Sequence, residues 1–512
     1  MKRALVAPLA VLALALVPAC ASQPPLPPPP PSPPPVASWP KPPAPPEPPR
    51  TTPDAPFRDG PPAAGPAVTW TPPRVASWTL PSGVRVLFVE RHDLPIVAVR
   101  LVTGVGAGDV AGARPGAVAF MGAMLEQGAG KRGALAISDD YEALGADHGA
   151  WCDWDSCAVS VKVLSSRLAP ALDIAADVAL RPTLPDAEME RLRKRWVAGL
   201  QADKSNPGAM EQNALAASLF GRAHPYGHGL RGEPDVAAKL TRADVEQAYR
   251  RAFAPRSSTL VVAGDVTEGD LRPLLEARFG KWTGAAAARA PVTHAPAAKG
   301  SRVVLVDAPG AAQSQVYLAE EGVPFASPDR IPLGVMNLVL GGMFSSRINL
   351  ELREAKAYTY GARSRFSMRH GAGPFAAGGA MFAEHTVDAV KELIAQVARM
   401  RDEPVTAEEL ADAKENAKLA LPARFESVDD LAGALGDLAV YGLPLDEYAT
   451  RAARIDAVTA ADVQRVAKKW LHPEAMRIVV TGDRAKIEKD LLGLDAAGGK
   501  IDRRDALGDP IP

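Results

Sequence analysis

The chain has 512 residues, of which 47% are hydrophobic, and a net charge of −1 at pH 7. Because single domains commonly have about 100–200 residues, this length predicts two or more domains with sizeable hydrophobic cores. The balanced charge lacks the basic excess with which proteins bind nucleic acid, so the composition argues against that class of function.

The first 20 residues are predicted to be a lipoprotein signal peptide. Two basic residues precede an apolar run at residues 4–17, which is shorter than the about 20 residues that span a bilayer. Residues 17–20, Val-Pro-Ala-Cys, match a bacterial lipobox, in which Cys20 becomes the lipid-modified N-terminus. Plain secretory cleavage is the alternative. We therefore expect a periplasm-facing lipoprotein of the cell envelope, and the absence of an acidic residue directly after the cysteine favours the outer membrane.

Residues 21–75 are dominated by proline and alanine, with prolines at every position from Pro27 to Pro30. Proline lacks an amide hydrogen and fixes φ, so the segment is predicted to be an extended polyproline-II tether of about 3 Å per residue. Such a tether would hold a folded body away from the membrane. A docking segment for a proline-recognising module is the alternative.

The rest of the chain contains an internal repeat, because the same number of residues separates each of several matching pairs. The pairs are Thr241–Val245 with Thr459–Val463, Pro255 with Pro473, and Gly264-Asp265 with Gly482-Asp483. Each copy predicts a helix capped by threonine, a turn and a strand that ends at Gly-Asp. The repeat therefore predicts two homologous halves, at residues 76–285 and 301–495, joined by a linker at 286–300 and followed by a tail at 496–512.

The predicted fold class is α+β, with each half an αβ layer structure in which helices cover a mostly antiparallel sheet. Paired strands are expected at residues 83–90 and 96–103, and again at 301–307 and 313–320. Helices are expected to follow, for example at 166–180 and 185–203.

Cys152 and Cys157 lie in a segment, residues 151–159, that is predicted to be one continuous strand. Side chains five positions apart on a strand face opposite sides, so a disulfide between them would need a bulge or a turn and is disfavoured. The same alternation disfavours a metal site made of His148, these cysteines and the neighbouring aspartates.

Two further patterns indicate packing rather than chemistry. His224 and His228 are four positions apart, but the intervening Pro-Tyr-Gly breaks the helix that would align them on one metal. Residues 104–109 suggest a dinucleotide loop, yet the third glycine of G-x-G-x-x-G would fall on Asp109.

Residues 115–128 have the sequence PGAVAFMGAMLEQG. They resemble the zinc-binding helix of the pitrilysin/insulinase metallopeptidases, whose pattern is G-L-A-H-x-x-E-H-M-L-F-x-G. In that pattern two histidines on one helix face hold the zinc, and the glutamate acts as general base. The histidine positions fall here on Ala119 and Ala123, and the glutamate position falls on Gly122. The family's third zinc ligand, a glutamate on a later helix, falls at about residues 197–200, Val-Ala-Gly-Leu, so it is missing too.

The second half keeps a different part of the same family pattern. Residues 341–354, GGMFSSRINLELRE, resemble the family's G-G-x-F-S-S-R-L-N-x-x-L-R-E, and the likeness continues to Tyr360. In the family an arginine and a tyrosine at these positions, here Arg353 and Tyr360, contact the substrate backbone and the carbonyl under attack. A phenol and a guanidinium are hydrogen-bond donors suited to a developing oxyanion. Without the resemblance, Arg353 would be read as a helix-surface charge paired with Glu354 or Glu351, and Tyr360 as a half-buried aromatic residue of a strand.

The resemblance covers nearly all of residues 77–492 and implies a family member that cannot hydrolyse peptides on its own. The chain is expected to hold no cofactor and to pair with a zinc-bearing homologous subunit, to which it supplies Arg353 and Tyr360 for the hydrolysis of unfolded peptides. The main alternative is a non-enzymatic scaffold or peptide-binding lipoprotein. A peptidase whose metal ligands have moved elsewhere in the chain is a third reading.

Overall fold

The computed structural model describes residues 70–110, 112–285, 288–295 and 302–512. The predicted signal peptide with Cys20, residues 21–69 of the predicted tether and part of the predicted linker lie outside this set.

The first half is built on a six-stranded sheet in the order β1-β2-β8-β3-β7-β6, with a separate two-stranded ribbon of β4 and β5. Its strands are β1 (Ala76–Thr79), β2 (Arg85–Glu90), β3 (Ile96–Thr103), β4 (Gly128–Ala129), β5 (Arg132–Gly133), β6 (Asp147–Cys152), β7 (Cys157–Leu164) and β8 (Ser258–Gly264). Its helices are α1 (Ala117–Met124), α2 (Ala134–Ala143), α3 (Leu168–Leu180), α4 (Asp186–Asp203), α5 (Pro207–Phe220), α6 (Pro234–Ala237), α7 (Arg242–Ala252) and α8 (Glu268–Phe279).

The second half repeats this plan with a six-stranded sheet in the order β11-β12-β10-β13-β9-β14. Its strands are β9 (Val303–Asp307), β10 (Gln313–Glu321), β11 (Arg363–Phe366), β12 (Pro374–Phe382), β13 (Arg477–Gly482) and β14 (Asp502–Arg504). Its helices are α9 (Arg330–Asn337), α10 (Arg347–Asn349), α11 (Thr386–Asp402), α12 (Ala407–Leu419), α13 (Val428–Val440), α14 (Glu447–Asp456), α15 (Ala460–Trp470) and α16 (Arg484–Leu492), with π-helical turns at Leu338–Gly342 and Leu350–Ala355.

Most strand pairs in both sheets are antiparallel, which confirms the predicted α+β fold class. The repeated segments take equivalent places. Thr241 caps α7 and Thr459 caps α15, each through a reciprocal bond with an aspartate three residues on. The strand that follows lies between the first two long strands of its half, because β8 separates β2 from β3 and β13 separates β9 from β10.

The prediction that residues 83–90 pair directly with 96–103, and 301–307 with 313–320, is therefore wrong. Every residue of β8 and of β13 is buried, and a strand that is buried on both faces belongs in the middle of a sheet. Strand β8 lies parallel to β2 and antiparallel to β3, and β13 lies parallel to β9 and antiparallel to β10.

The two halves exchange one helix each. Along β8, Leu260 and Val262 face the core of their own half, whereas Val261 and Ala263 pack against α13 of the second half. In the same way, α5 of the first half packs on the second sheet, where Met210 and Leu215 join a cluster with strand residues of β9, β10 and β13. Both faces of both sheets are thus covered: each half has a hydrophobic core of its own, and two further clusters contain residues of both halves.

The prediction of one strand at residues 151–159 is also wrong. Strand β6 ends at Cys152 and β7 begins at Cys157, and these two residues are directly paired across the hairpin and joined by a disulfide. The turn between them is closed by Asp153, whose Oδ1 accepts hydrogen bonds from the amides of Asp155 and Ser156. The two cysteines are therefore direct neighbours across the hairpin, and their side chains do not lie on opposite faces of a single strand.

One segment of the described chain, Arg330–Ala355, is long and apolar enough to span a membrane by length and composition, with a mean hydropathy of 1.3 over an 18-residue stretch. Half of that stretch is buried inside the protein, and residues 343–346 interrupt the helical turns of the segment. Buried helices of globular cores commonly meet the same criterion, and Leu333, Met336 and Leu340 belong to the core of the second half.

Candidate functional site

Helix α1 carries the three positions at which the zinc-binding pattern is lost. Ala119 and Gly122 are buried and Ala123 is half-buried, so this face of the helix lies against protein rather than in an open cavity. The helix packs on strand β6 and on α7. None of the three side chains carries a donor atom that could bind a metal.

Gly122 has no room for a side chain. A Cβ at this position would lie 2.7 Å from the backbone nitrogen of Cys152 and 3.1 Å from its Sγ atom. Because the nearest obstacle is the backbone of β6, a substitution would have to displace the strand and its disulfide. The position that would carry the general base is therefore closed by the hairpin of β6 and β7.

The segment aligned with the third zinc ligand, residues 197–200, lies inside α4. This helix is held next to α1 by an edge-to-face contact of Phe120 with Trp196, with centroids 5.5 Å apart. The nearest charged group to Gly199 is a cation, because a Cβ there would lie 3.6 Å from Nη1 of Arg231. This guanidinium, which is ion-paired with Asp203, occupies the space beside the position and offers no lone pair to a metal ion.

Arg353 lies in the second π-helical turn and is partly exposed. Its guanidinium lies over the ring of Phe344 at 4.5 Å, and its Nε is 3.4 Å from Oε1 of Glu354. An exposed ion pair of this length contributes little to stability, so it leaves the arginine available to another partner. Phe344 itself is 65% exposed, which is unusual for an aromatic side chain.

Tyr360 is 79% exposed and follows a backbone kink at Ala357, whose φ of 52° is rare for a residue other than glycine. Its ring contacts Phe382 edge-on at 5.6 Å, and its hydroxyl has no hydrogen-bond partner among the residues that the structure describes. An exposed phenol hydroxyl without an internal partner can donate a hydrogen bond to a group from another molecule.

The remaining motif residues hold this segment in shape. Arg347 makes a bidentate ion pair with Glu409, at 2.6 and 2.7 Å. Asn349 accepts from the amide of Ala362 and donates to the carbonyl of Phe344. The motif and its continuation thus combine buried framework residues with a partly exposed arginine, Arg353, and an exposed tyrosine, Tyr360.

A cluster that sequence reasoning missed joins the two halves. His370 Nδ1 lies 2.9 Å from Oδ2 of Asp109, and its backbone amide donates to Asp155. Tyr441 donates its hydroxyl to the second oxygen of Asp155, at 2.8 Å. His370 Nε2 faces the carbonyl of Val440 at 3.2 Å. No local pattern could reveal these residues, because they are far apart in the sequence.

The geometry of this cluster requires a charged imidazole. Nδ1 faces a carboxylate and Nε2 faces a carbonyl, and since both only accept, both ring nitrogens must carry hydrogen. Burial lowers the pKa of His370, but the hydrogen bond and charge of Asp109 outweigh it, so the pKa is raised. Burial also raises the pKa of Asp155 in spite of its hydrogen bonds.

Two other histidines considered in the sequence analysis, His148 and His224, have hydrogen-bond partners of their own. His224 is buried, where its Nδ1 accepts from the amide of Tyr226 and its Nε2 donates to Thr293. His148 pairs with Glu126 at 2.6 Å. Among the described residues, the set of Asp109, Asp155 and His370 is the only one with the spacing of metal ligands, and its polar atoms already bond each other.

Two family models match the chain. The family described as "Insulinase (Peptidase family M16)" matches residues 85–231, and that described as "Peptidase M16 inactive domain" matches residues 239–417. The first match covers β2 to β7 of the first half, and the second match covers β8 of the first half and β9 to β12 of the second half.

Curated relatives include a protein of Mycobacterium tuberculosis named "uncharacterized zinc protease", which is 27% identical over 80% of this chain and 92% of its own length. The probable mitochondrial-processing peptidase subunit beta of Arabidopsis thaliana is 23% identical over 80% of this chain and 78% of its own. The cytochrome b-c1 complex subunit 1 of Bos taurus is 25% identical over 51% and 54%.

Solved structures agree in fold. A peptidase M16 inactive domain of Pseudomonas fluorescens superimposes with a TM-score of 0.72 and 29% identity, over 80% of this chain and 98% of its own. A protease of Helicobacter pylori gives a TM-score of 0.74 at 21% identity, over 81% of this chain and all of its own.

Proposed function

Because the chain belongs to the M16, or pitrilysin/insulinase, family of peptidases as a degenerate member, we propose that it is the non-catalytic subunit of a two-chain zinc metallopeptidase. A zinc-bearing homologous subunit would supply the metal, the ligands and the general base. This chain would supply Arg353 and Tyr360 in trans, and unfolded peptides would be hydrolysed between the two subunits.

The observation that carries the proposal is the packing around α1, the helix that resembles the family's zinc-binding helix. The backbone of Cys152 fills the space next to Gly122, and Arg231 lies beside the position of the third ligand. A protein that bound zinc transiently at this helix would need an open face and anionic or neutral donors. The chemistry must therefore come from another chain if the protein takes part in hydrolysis.

The state of Arg353 and Tyr360 supports a role in trans. Both side chains are accessible, and neither is committed to a strong internal interaction. Donors of this kind stabilise the tetrahedral oxyanion when a partner encloses them and excludes water, because hydrogen bonds to a developing charge strengthen in a poorly solvated site. The buried framework around Arg347 and Asn349 would keep them in a fixed orientation.

The names of two relatives agree with a paired arrangement. The Arabidopsis relative is named as a subunit of a mitochondrial-processing peptidase, and the bovine relative as a subunit of the cytochrome b-c1 complex. The second name also supports the alternative function, a scaffold or peptide-binding protein without a part in catalysis.

We further propose that the protein is anchored to the cell envelope through lipid on Cys20 and faces the periplasm. A disulfide between Cys152 and Cys157 agrees with an oxidising compartment, where such bonds form and persist.

The proposal is tested by purifying the tagged full-length protein from detergent-solubilised membranes and identifying the co-purifying proteins by mass spectrometry. A stoichiometric homologue with an intact H-x-x-E-H helix supports the split peptidase. Recovery of the protein alone, or with unrelated envelope proteins, favours the scaffold.

A further inference from the structure

A cleft of about 770 Å³ lies where helix α5 of the first half rests on the sheet of the second half. Its floor is one face of β10, β11 and β12, where the small residues Ala376 and Gly378 leave space beside the helix. The glycine pair Gly341–Gly342 borders it. Four aromatic rings form its walls: Trp154, Phe220, Tyr226 and Tyr317. Apolar walls with a few polar groups are the common composition of ligand sites.

Three arginines line this cleft without an acidic partner. Arg363 and Arg365 are exposed, lie two positions apart on the same face of β11, and make no ion pair with a described residue. Arg369 lies over the rings of Trp154 and Tyr226, 4.4 Å from each centroid, and burial lowers its pKa to about 10. Unpaired guanidinium groups are preferred binding groups for carboxylates.

One carboxyl group in the same cleft is also without a partner. Glu211 on α5 is only 4% exposed, and its Oε1 oxygen, which solvent does not reach, has no hydrogen-bond partner in the described part of the chain. Burial raises the pKa of Glu211 to about 8, so the group is a neutral acid at pH 7. A buried polar group left unpaired is costly and is rare in folded proteins.

The equivalent place on the other sheet is filled. There α13 rests on the first sheet, and Lys162 of β7 pairs with Asp429 at 2.7 Å and with Asp147 at 2.8 Å. The cavity beside it measures only about 90 Å³. The repeat therefore closes this position in one half by an internal ion pair and leaves it open and unpaired in the other.

We propose that the cleft binds the C-terminal end of a peptide, with the terminal carboxylate held by Arg363 and Arg365 and Glu211 hydrogen-bonded to the peptide backbone beside it. Arg369 adds positive charge from below, and the aromatic walls take the adjoining side chains. The choice of a peptide as ligand rests on the proposed function, but the cleft belongs to this chain alone. Its binding is therefore measured without a partner subunit.

Calorimetric titration of the purified full chain with N-acetyl-trialanine tests the proposal, because acetylation removes the competing amino group. The C-terminally amidated peptide should bind about 10–100-fold more weakly, as expected for the loss of a charged hydrogen-bond pair. Equal binding of the amide would overturn the proposal. N-acetyl-Ala-Asp-Ala-amide, which carries only a side-chain carboxylate, and inorganic phosphate test whether the cleft prefers a C-terminal carboxylate to other anions. Binding of either probe as tight as that of N-acetyl-trialanine would also overturn the proposal.

Variants assign the binding to this cleft. The double variant Arg363→Gln and Arg365→Gln should lose at least about tenfold in affinity for N-acetyl-trialanine. Arg195→Gln is the matched control, since Arg195 is exposed on α4 and also lacks an ion-pair partner among the described residues. A double variant that folds and binds like the control would refute the site.

The pH dependence tests Glu211 separately. Of the groups that face it, His228 has a lowered pKa, and Tyr226 and Tyr317 have raised ones. Arg369, whose pKa burial lowers to about 10, keeps most of its charge below pH 9, so the main change of charge between pH 7 and 9 is that of Glu211. Above about pH 8 it becomes an anion next to the bound carboxylate, and affinity should fall. Glu211→Gln should remove this fall. A fall in affinity that persists in Glu211→Gln would refute the role of Glu211. If the cleft binds no peptide at all, the test for a zinc-bearing partner still stands, because that test does not depend on the cleft.

Discussion

Gly122 and Cys152 are in such close contact that a Cβ on the glycine would lie 2.7 Å from the backbone nitrogen of the cysteine. This contact joins the helix that would carry the zinc ligands to the strand that carries the disulfide. On this helix the zinc-binding pattern is therefore opposed by lack of space as well as by side-chain chemistry.

Restoring the ligand pattern should not restore zinc binding. The triple variant Ala119→His, Gly122→Glu and Ala123→His should hold far less than one zinc per chain, because the glutamate cannot enter and the third ligand is absent. Metal content after dialysis, measured by mass spectrometry of the element, checks this expectation. The milder variant Gly122→Ala should cost about 1–3 kcal/mol of unfolding free energy by overpacking. Stoichiometric zinc in the triple variant would contradict this interpretation.

The disulfide should stabilise the fold modestly. It closes a loop of sequence separation 5, and the chain-entropy relation gives about 2 kcal/mol for a loop of that size. Cys152→Ala with Cys157→Ala should lower the urea midpoint accordingly. Reduction of the native protein should lower the urea midpoint by a similar amount. The double variant is the control, because reduction should leave its midpoint unchanged. An unchanged midpoint on reduction would show that the bond does not constrain the chain.

The cluster around His370 should make stability fall as pH rises. The pKa of His370 in the folded state is raised above 6.5. The contribution of its charged form to the free energy of unfolding is therefore complete below about pH 6.5 and is lost as pH rises through the folded-state pKa. Asp109, Asp155 and Tyr441 face the ring, and the raised pKa of Asp155 acts in the same direction at lower pH. His370→Gln should cost about 3–5 kcal/mol near pH 6, the amount expected for breaking a buried pair, and less at pH 9. An equal loss of unfolding free energy at pH 6 and at pH 9 would contradict a charged His370.

The N-terminal segment predicts anchoring through Cys20. Cys20→Ala should abolish labelling by a radioactive or clickable fatty acid and move the protein from the membrane to the soluble periplasmic fraction, because two or more acyl chains are what hold such a protein at a bilayer. Cys152→Ala with Cys157→Ala is the matched control and should stay in the membrane fraction. Membrane association of an unlabelled Cys20→Ala protein would point to another anchor.

The parts of the fold that the sequence predicted depend on local signals. Thr241 and Thr459 cap their helices through residues three positions away, and the repeat preserves these signals in both halves. The order of strands could not be found in this way, since the insertion of β8 between β2 and β3 is a contact between residues far apart in the chain.

The same distinction explains the candidate sites. The family pattern singled out Arg353 and Tyr360, and the positions on α1 that lack metal-binding side chains, because each lies within one continuous motif. The roles of Arg353 and Tyr360 stay predictions. The turn at residues 153–156 was missed because no glycine or proline marks it, although Asp153 closes it. The cluster of Asp109 and His370, and the isolated carboxyl of Glu211, exist only where α5, the hairpin and the second sheet meet.

The most direct test of a catalytic role in trans is a peptidase assay with the zinc-bearing homologue that co-purifies with this chain. The homologue alone should be nearly inactive and should gain activity when the wild-type chain is added. Arg353→Ala and Tyr360→Phe should each assemble normally yet lower kcat by about 10²–10³, the usual effect of removing one oxyanion donor, whereas Arg399→Ala should have no effect. Full activity with both variants would contradict the account and leave the protein as a scaffold.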